Sequence, residues 1–103
     1  ITITTNGGKS HEYHLCSLKD LYIWLKYDQE GSDVLLGTRR EEETPNPGTV
    51  EEWARSENNP INDFYGLTPG RRGQFSTYIP SILEFLGFVE ITHNPNNNTV
   101  RAV

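Results

Sequence analysis

The chain has 103 residues, of which 34% are hydrophobic and 11% aromatic, a composition that suits one folded domain and argues against disorder. No apolar run approaches the roughly 20 residues of a membrane-spanning helix, and the start of the chain lacks a signal-peptide pattern. The net charge of −5 argues against a uniformly basic surface of the kind that binds nucleic acid.

The charge is unevenly distributed, which leaves room for a locally positive face. Residues 41–67 contain seven acidic residues and one basic residue, whereas residues 68–103 contain two acidic and three basic residues. The single cysteine, Cys16, cannot form an intramolecular disulfide, which favours a reducing compartment, and we expect a cytoplasmic protein. Because the chain starts at Ile1 and contains no methionine, we interpret it as one domain that could be a fragment of a longer protein.

The N-terminal third predicts a β-hairpin followed by a helix. The runs ITITT and SHEYHL flank NGGK, whose Asn-Gly and Gly-Gly pairs supply the backbone angles of tight turns. Ser17 stands where a helix N-cap is expected, and a first helix is predicted over about residues 18–28. We interpret it as a core helix, whose apolar face is formed by Leu18, Leu21, Tyr22, Trp24, Leu25 and Tyr27.

The middle of the chain predicts short elements joined by polar loops. VLLG at residues 34–37 fits a short strand or a packed connection. Residues 38–48 are predicted to form an exposed acidic loop, because two prolines and a glycine disfavour regular structure there. Thr49 and Glu52 form a capping box before a short second helix. One or two further helical turns are expected over residues 62–67.

The C-terminal third predicts one longer helix and a second β-hairpin. A helix is expected over about residues 72–86 and ends before Gly87, and Pro80 in its interior would either kink it or divide it in two. The runs FVEITH and TVRAV, on either side of NPNNN, predict two strands. The apolar stripe of the helix consists of Phe75, Ile79, Ile82, Leu83 and Leu86.

The segment FYGL, the polar turn TPGRRG, the predicted helix and the run LEFLGFVEI together resemble the C-terminal half of a winged helix-turn-helix DNA-binding domain. The resemblance covers about residues 49–103. It implies an α+β fold with about three helices, an N-terminal β-hairpin and a C-terminal two-stranded wing. In that family the recognition helix packs by its apolar stripe and offers its outer face and N-terminus to the major groove.

The resemblance places a set of polar side chains on the DNA-facing side of the predicted helix. Gln74 suits the edge of adenine, Thr77 and Ser81 suit bases or phosphates, and two arginines at the leading end suit phosphates or guanine. The unpaired amides and the dipole of the helix N-terminus would also attract a phosphate. The expected partner is double-stranded DNA, without a cofactor. The candidate DNA-binding residues are Arg71, Arg72, Gln74, Thr77, Ser81 and Arg101.

A second interpretation is a protein–protein interaction or dimerisation module on the same scaffold, without nucleic-acid binding. Its contacts would come from the acidic middle of the chain and from aromatic residues such as Tyr65. In that case Arg71 and Arg72 are solvated charges in a glycine-bounded loop. Residues 41–43 are expected to form a solvated loop, or else a docking site for a partner.

Catalysis and metal binding receive little support from the sequence. On a strand, His14 and Cys16 point to one face while His11 points to the other, so the three do not converge on one ion. No nucleophile-elbow sequence and no phosphate-binding glycine loop is present. We therefore do not expect an enzyme.

Overall fold

The computed structural model describes residues 1–103 as an α+β fold with three α-helices and two small antiparallel sheets. A β-hairpin comes first, helices and a strand follow, and a second hairpin ends the chain. The elements are β1 (Thr2–Thr4), β2 (Ser10–Glu12), α1 (Ser17–Ile23), β3 (Val34–Leu35), α2 (Val50–Trp53), α3 (Phe75–Phe85), β4 (Val89–Ile91) and β5 (Thr99–Ala102). None of the helices has the length and apolar character needed to cross a membrane.

Both predicted hairpins are present, and each belongs to a different sheet. Strands β1 and β2 pair antiparallel on their own. Strand β5 is the centre of the other sheet, between β3 and β4, so the first two residues of the VLLG segment form a strand. Val100 of β5 lies opposite Val34 on one side and Ile91 on the other, and its side chain is fully buried. One face of this sheet therefore packs on the core.

Helix α1 occupies the predicted region and continues as a π-helical segment over Trp24–Asp28. The N-cap position belongs to Cys16, whereas Ser17 is the first helical residue and its buried Oγ has no hydrogen-bond partner. The predicted capping role of Ser17 is therefore wrong. Tyr27 is 68% exposed and does not belong to the apolar face. Tyr27 follows the buried Leu25 by two positions, which places it on nearly the opposite side of the helical segment.

The start of α2 is confirmed, because the Thr49 Oγ1 accepts a hydrogen bond of 3.2 Å from the Glu52 amide. Only this half of the capping box forms, since the Glu52 carboxylate makes no return bond to Thr49. The result is a helix of one turn that brings three buried residues, Val50, Glu51 and Trp53, into the interior.

Helix α3 begins three residues later than predicted and contains Pro80 within one continuous helix, which excludes the two-piece interpretation. Its end is as predicted. Gly87 has a φ of 86°, its amide donates to the Glu84 carbonyl, and the next amide donates to the Leu83 carbonyl. The chain turns there into β4. Leu86 is the C-cap and is 54% exposed, so it does not contribute to the buried stripe.

The core is rich in aromatic rings. Tyr65 packs against Trp53 at 5.0 Å between ring centroids and against Phe75 at 5.8 Å, and Tyr13 meets Phe75 edge-on at 5.6 Å. The residues around Tyr65 form turns and a β-bridge to the first hairpin, so the helical turns expected over residues 62–67 are absent. Because Tyr65 is fully buried, it cannot supply the partner contact suggested for an interaction module.

Two buried tyrosine hydroxyls bind acceptors inside the fold. Tyr13 donates to the Gly73 carbonyl at 3.0 Å, and Tyr65 donates to the Asp20 carboxylate at 2.8 Å. Burial raises the pKa of both phenols well above the ordinary value, with a further contribution from the charge of Glu51 at Tyr13 and from Asp20 at Tyr65. The folded state therefore keeps both protons at a pH where the unfolded chain has lost them.

The free energy of unfolding is expected to fall as the pH rises above about 10, by about 1.4 kcal/mol per pH unit for each of these tyrosines. The free energy of unfolding falls with rising pH because the unfolded state binds fewer protons than the folded state in this range. Urea denaturation between pH 9 and pH 11 should give a shallower decline for Tyr65→Phe than for the wild type. Equal slopes in the two proteins would contradict the assignment.

Candidate nucleic-acid interface

The leading end of α3 is defined by a turn that packs closely against the 38–48 segment. Gln74, directly before the helix, has a left-handed φ of 59° and donates its amide to the Arg39 carbonyl at 2.8 Å. Gly73 is buried, and a Cβ atom there would lie only 2.7 Å from the carbonyl carbon of Arg40. The helix therefore starts at Phe75 and not in the preceding arginine pair.

A buried carboxylate occupies the N-terminus of α3. Glu51 of α2 is fully buried, and its two carboxylate oxygens accept hydrogen bonds from the Phe75 amide at 3.3 Å and the Ser76 amide at 3.1 Å. The Ser76 hydroxyl also donates to it at 3.0 Å. The negative charge of Glu51 lies inside the molecule at the positive end of the α3 dipole and therefore stabilises the helix. The expectation that these amides are free for phosphate is therefore wrong.

The countercharge of Glu51 is Arg55, one helical turn further on. Its guanidinium lies 3.0 Å from the carboxylate, and the side chain is only 8% exposed. The same guanidinium donates to four main-chain carbonyls in the loop after β3, so every nitrogen is used. These carbonyls belong to Arg39, Arg40, Glu41 and Glu43. The pair ties α2, α3 and this loop together.

The sequence suggests that the acidic loop is solvated. In the structure Glu41 instead binds the turn before α3. Its carboxylate accepts hydrogen bonds from the Gly70 amide at 2.8 Å and the Arg72 amide at 2.6 Å. Within the loop, the Glu43 carboxylate accepts a hydrogen bond from the Arg40 amide. This hydrogen bond lowers the pKa of Glu43. Residues 38–48 form no helix or strand, in agreement with the prediction of a loop.

The two arginines of the turn have different environments. Arg72 packs its guanidinium on the Phe64 ring, 5.2 Å from the ring centroid, and its buried Nε has no hydrogen-bond partner. Its backbone also lies against Gly66, where a Cβ atom would come within 2.6 Å of the Arg72 Cα. Arg72 is thus largely a packing residue, a role that the sequence pattern does not reveal.

Arg71 is exposed and has no carboxylate partner; its guanidinium makes one hydrogen bond of 3.2 Å, to the Ser10 carbonyl of β2. It lines a polar cleft of about 410 Å³ that contains no hydrophobic residue. We call this the polar cleft; it is lined by Lys9, His11, Arg40, Glu41, Glu42, Gly70, Arg71, Gly73 and Gln74. Of its three lysine and arginine side chains, only that of Arg40 forms an ion pair.

The outer face of α3 carries the polar side chains that the helical spacing predicts there. Thr77 and Ser81 are exposed, and the Ser81 hydroxyl donates to the Thr77 carbonyl at 2.9 Å. Glu84, on the same side, is bound to the C-terminal hairpin, where it lies 2.7 Å from His93 Nε2 and accepts from the Ile91 amide at 3.2 Å. Its negative charge is therefore held away from the first turns of the helix.

Arg101 lies on the sheet, apart from the polar cleft. It faces Glu90 across the β4–β5 pair, and the two exposed side chains form an ion pair at 3.2 Å. A surface pair of this kind contributes little stability and leaves the charge partly available. The loop between the strands contains no lysine or arginine. The structure thus brings Arg71 and Gln74 together in one cleft, and leaves Arg101 elsewhere.

Five residues that shape this site are not among the DNA-binding candidates predicted from the sequence. Glu51 and Arg55 are four residues apart, the spacing of a helical ion pair, and that signal was available. Glu41 gave no such signal, because its partners are 29 and 31 residues away. Lys9 and His11 also enter the site only through the folding of the first hairpin onto the turn.

Fold and site together define an α+β domain with one exposed polar helix face, bordered at its leading end by a cleft with an unpaired arginine. The chain belongs to DUF6855, a family of unknown function, whose family model matches residues 1–103. No curated protein and no solved structure matches the chain.

Proposed function

We propose that this domain is a winged-helix-like DNA-binding module, which contacts duplex DNA through the outer face of α3 and the adjoining polar cleft. The order of elements from α1 onward supports the scaffold: helix, strand, helix, helix and two hairpin strands. Strand β3, which precedes the second helix, pairs with the last strand of the chain, and the two hairpin strands stand where a wing is expected.

The observation that carries the proposal is the exposure of Thr77 and Ser81 on α3 together with that of Arg71 in the turn before the helix. The two hydroxyl side chains project from α3, and Arg71 stands beside the start of the helix without a carboxylate partner. Hydroxyl groups hydrogen-bond to bases or phosphates, and a free guanidinium binds phosphate or guanine. Gln74 lines the polar cleft with Arg71, directly before the first residue of α3, and suits an adenine edge.

The remaining candidates have secondary places in the proposal. Arg72 adds positive charge near the cleft while its guanidinium stays on Phe64, and Arg101 could reach phosphate only by giving up Glu90. The amides at the start of α3 take no part, because Glu51 binds them. Phosphate contacts therefore come from side chains, chiefly Arg71 and Lys9.

Substituting Arg71 with alanine is expected to weaken duplex binding and to reduce the slope of log K against log salt by about one unit, the effect of losing one phosphate contact. The change should leave the fold intact, since the Arg71 side chain makes a single exposed hydrogen bond. Fluorescence anisotropy with a labelled duplex, over a series of salt concentrations, measures both quantities.

The matched control for this experiment is Lys19→Ala, which removes one exposed and unpaired positive charge from α1. It should leave the slope unchanged. Identical slopes for Arg71→Ala and the wild type would reject the site, and the absence of duplex binding at low salt would reject the function.

An interaction module is the alternative, and the exposed apolar end of α3 favours it. Phe85 is 89% exposed, and Leu86 and Phe88, which follow it closely in the chain, are about half exposed. Apolar side chains grouped on a surface often mark a protein interface. If no duplex binds, this surface at the end of α3 would take the place of the polar cleft as the candidate site.

A further inference from the structure

A second cleft, of about 490 Å³, lies between α1 with its π-helical continuation and α2, and it shares no lining residue with the polar cleft. We call it the tryptophan cleft. Its volume is in the range of sites for small molecules or single side chains. Its lining combines aromatic and acidic side chains and consists of Asp20, Ile23, Trp24, Asp28, Gly48, Thr49, Glu52, Trp53, Ser56, Asn58 and Pro60.

The aromatic part of the tryptophan cleft is the outer end of a stack that begins in the core. Trp24 stacks on Trp53 with centroids 5.2 Å apart and an interplanar angle of 20°, and Trp53 stacks on Tyr65 at 5.0 Å. Tyr65 is fully buried, Trp53 is 7% exposed, and Trp24 is partly exposed. The stack holds the Trp24 indole in place at the cleft, and an indole is the aromatic group that attracts cations most strongly.

All charged residues that line the tryptophan cleft are acidic. Asp20, Trp24 and Asp28 follow at intervals of four along the helical segment, so they share a face, and Glu52 is contributed by α2. No lysine, arginine or histidine lines the cleft. The carboxylates of Asp28 and Glu52 have no hydrogen-bond or ion-pair partner, whereas Asp20 accepts from Tyr65. Such a cleft concentrates the field that attracts a cation.

The arrangement of the aromatic and acidic groups determines which kind of cation the cleft can bind. No three histidine, cysteine, aspartate or glutamate side chains are grouped so that they could hold a metal ion. A cation that satisfies this cleft must therefore span an indole and separate carboxylates. A guanidinium group is planar and weakly hydrated, stacks on aromatic rings and donates along its edges to carboxylates. An ammonium group is a compact, strongly hydrated charge and lacks the stacking face.

We propose that the tryptophan cleft binds a guanidinium group, stacked on Trp24 and paired with Asp28 and Glu52. The group is carried either by a free small molecule or by an arginine side chain of a polypeptide. The chain itself uses the same chemistry elsewhere, where Arg72 packs on the Phe64 ring. This proposal does not depend on DNA binding.

The two tryptophans of the chain give a direct test, because both line the cleft. The two indole N–H signals of the ¹⁵N-labelled protein are followed by NMR while agmatine, N-acetyl-arginine amide or N-acetyl-lysine amide is added. We expect saturable shifts of both indole signals with the two guanidinium compounds, and we expect the lysine compound to bind at least about tenfold more weakly. A five-residue peptide with one central arginine separates the sources: tighter binding than agmatine indicates a polypeptide, and weaker binding indicates a small molecule.

Variants show whether binding takes place in the cleft. Asp28→Asn and Glu52→Gln should each weaken binding of N-acetyl-arginine amide by about tenfold, the effect of losing one charge-assisted hydrogen bond. Neither carboxylate has a partner in the fold, and an unchanged amide spectrum verifies that each variant is folded. Glu12→Gln is the control, an exposed acid on β2 outside the cleft, and it should bind as the wild type does. The proposal is overturned if the indole signals do not shift, if lysine and arginine compounds bind equally, or if the control weakens binding as much as Asp28→Asn.

Discussion

Replacing Glu51 with alanine is expected to lower the free energy of unfolding by about 3–5 kcal/mol, the cost of breaking a buried ion pair by removing one partner. Arg55 would keep a buried positive charge without its carboxylate, and the Phe75 and Ser76 amides would lose their acceptor. Each buried amide left unpaired adds a desolvation penalty. Urea denaturation, followed by tryptophan fluorescence, measures the loss.

Two variants make the interpretation of Glu51→Ala specific. Glu51→Gln keeps a carbonyl acceptor of similar shape but removes the charge, so we expect a loss smaller than that of alanine. Glu52→Ala removes the neighbouring carboxylate of the same helix, which makes no hydrogen bond, and should change stability by no more than about 0.5 kcal/mol. If Glu51→Ala and Glu52→Ala have similar effects, Glu51 does not organise the start of α3.

The parts of the fold that depend on local pattern could be predicted from the sequence. The hairpins follow from glycine and asparagine turns between β-rich runs, and the end of α3 follows from Gly87, which adopts the left-handed angle that such an end requires. Helical spacing also places Thr77 and Ser81 on the exposed side of α3. These features need only residues a few positions apart.

The parts that depend on distant segments could not be predicted in the same way. The start of α3 shifts to Phe75 because Gly73 packs against Arg40, a contact between segments about 30 residues apart in sequence. Arg71 is exposed, whereas Arg72 is packed, because only Arg72 contacts the Phe64 ring. Two consecutive arginines in a loop do not reveal this difference in the sequence.

The tryptophan cleft illustrates a third case, in which the pattern is visible but its meaning depends on the tertiary structure. The spacing of Asp20, Trp24 and Asp28 places an aromatic residue between two acids on one face. The sequence alone favours Trp24 as a core residue of the first helix. In the structure Trp24 stacks on Trp53 of α2, stays partly exposed and lines the tryptophan cleft.

Gly73 connects the acidic loop to the turn that presents Arg71, and the packing there leaves no room for a side chain. A Cβ atom at this position would collide with the Glu41 amide nitrogen and would lie 2.7 Å from the Arg40 carbonyl carbon. Both are backbone atoms, which cannot rotate away as a side chain can. The φ angle of Gly73 is not positive, so an alanine there is opposed by the lack of space and not by its own backbone preference.

Gly73→Ala is therefore expected to destabilise the protein by about 1–3 kcal/mol, the usual cost of overpacking, and to push the loop away from the turn. Because Glu41 would then lose its hydrogen bonds, the amides of Gly70 and Arg72 should exchange with deuterium faster than in the wild type. Gly7→Ala is the matched control, since a Cβ atom there meets nothing closer than 4.0 Å, and it should leave exchange at both amides unchanged. Slow exchange at Gly70 and Arg72 in Gly73→Ala would mean that the loop does not depend on this contact, and that Arg71 is positioned by the turn alone.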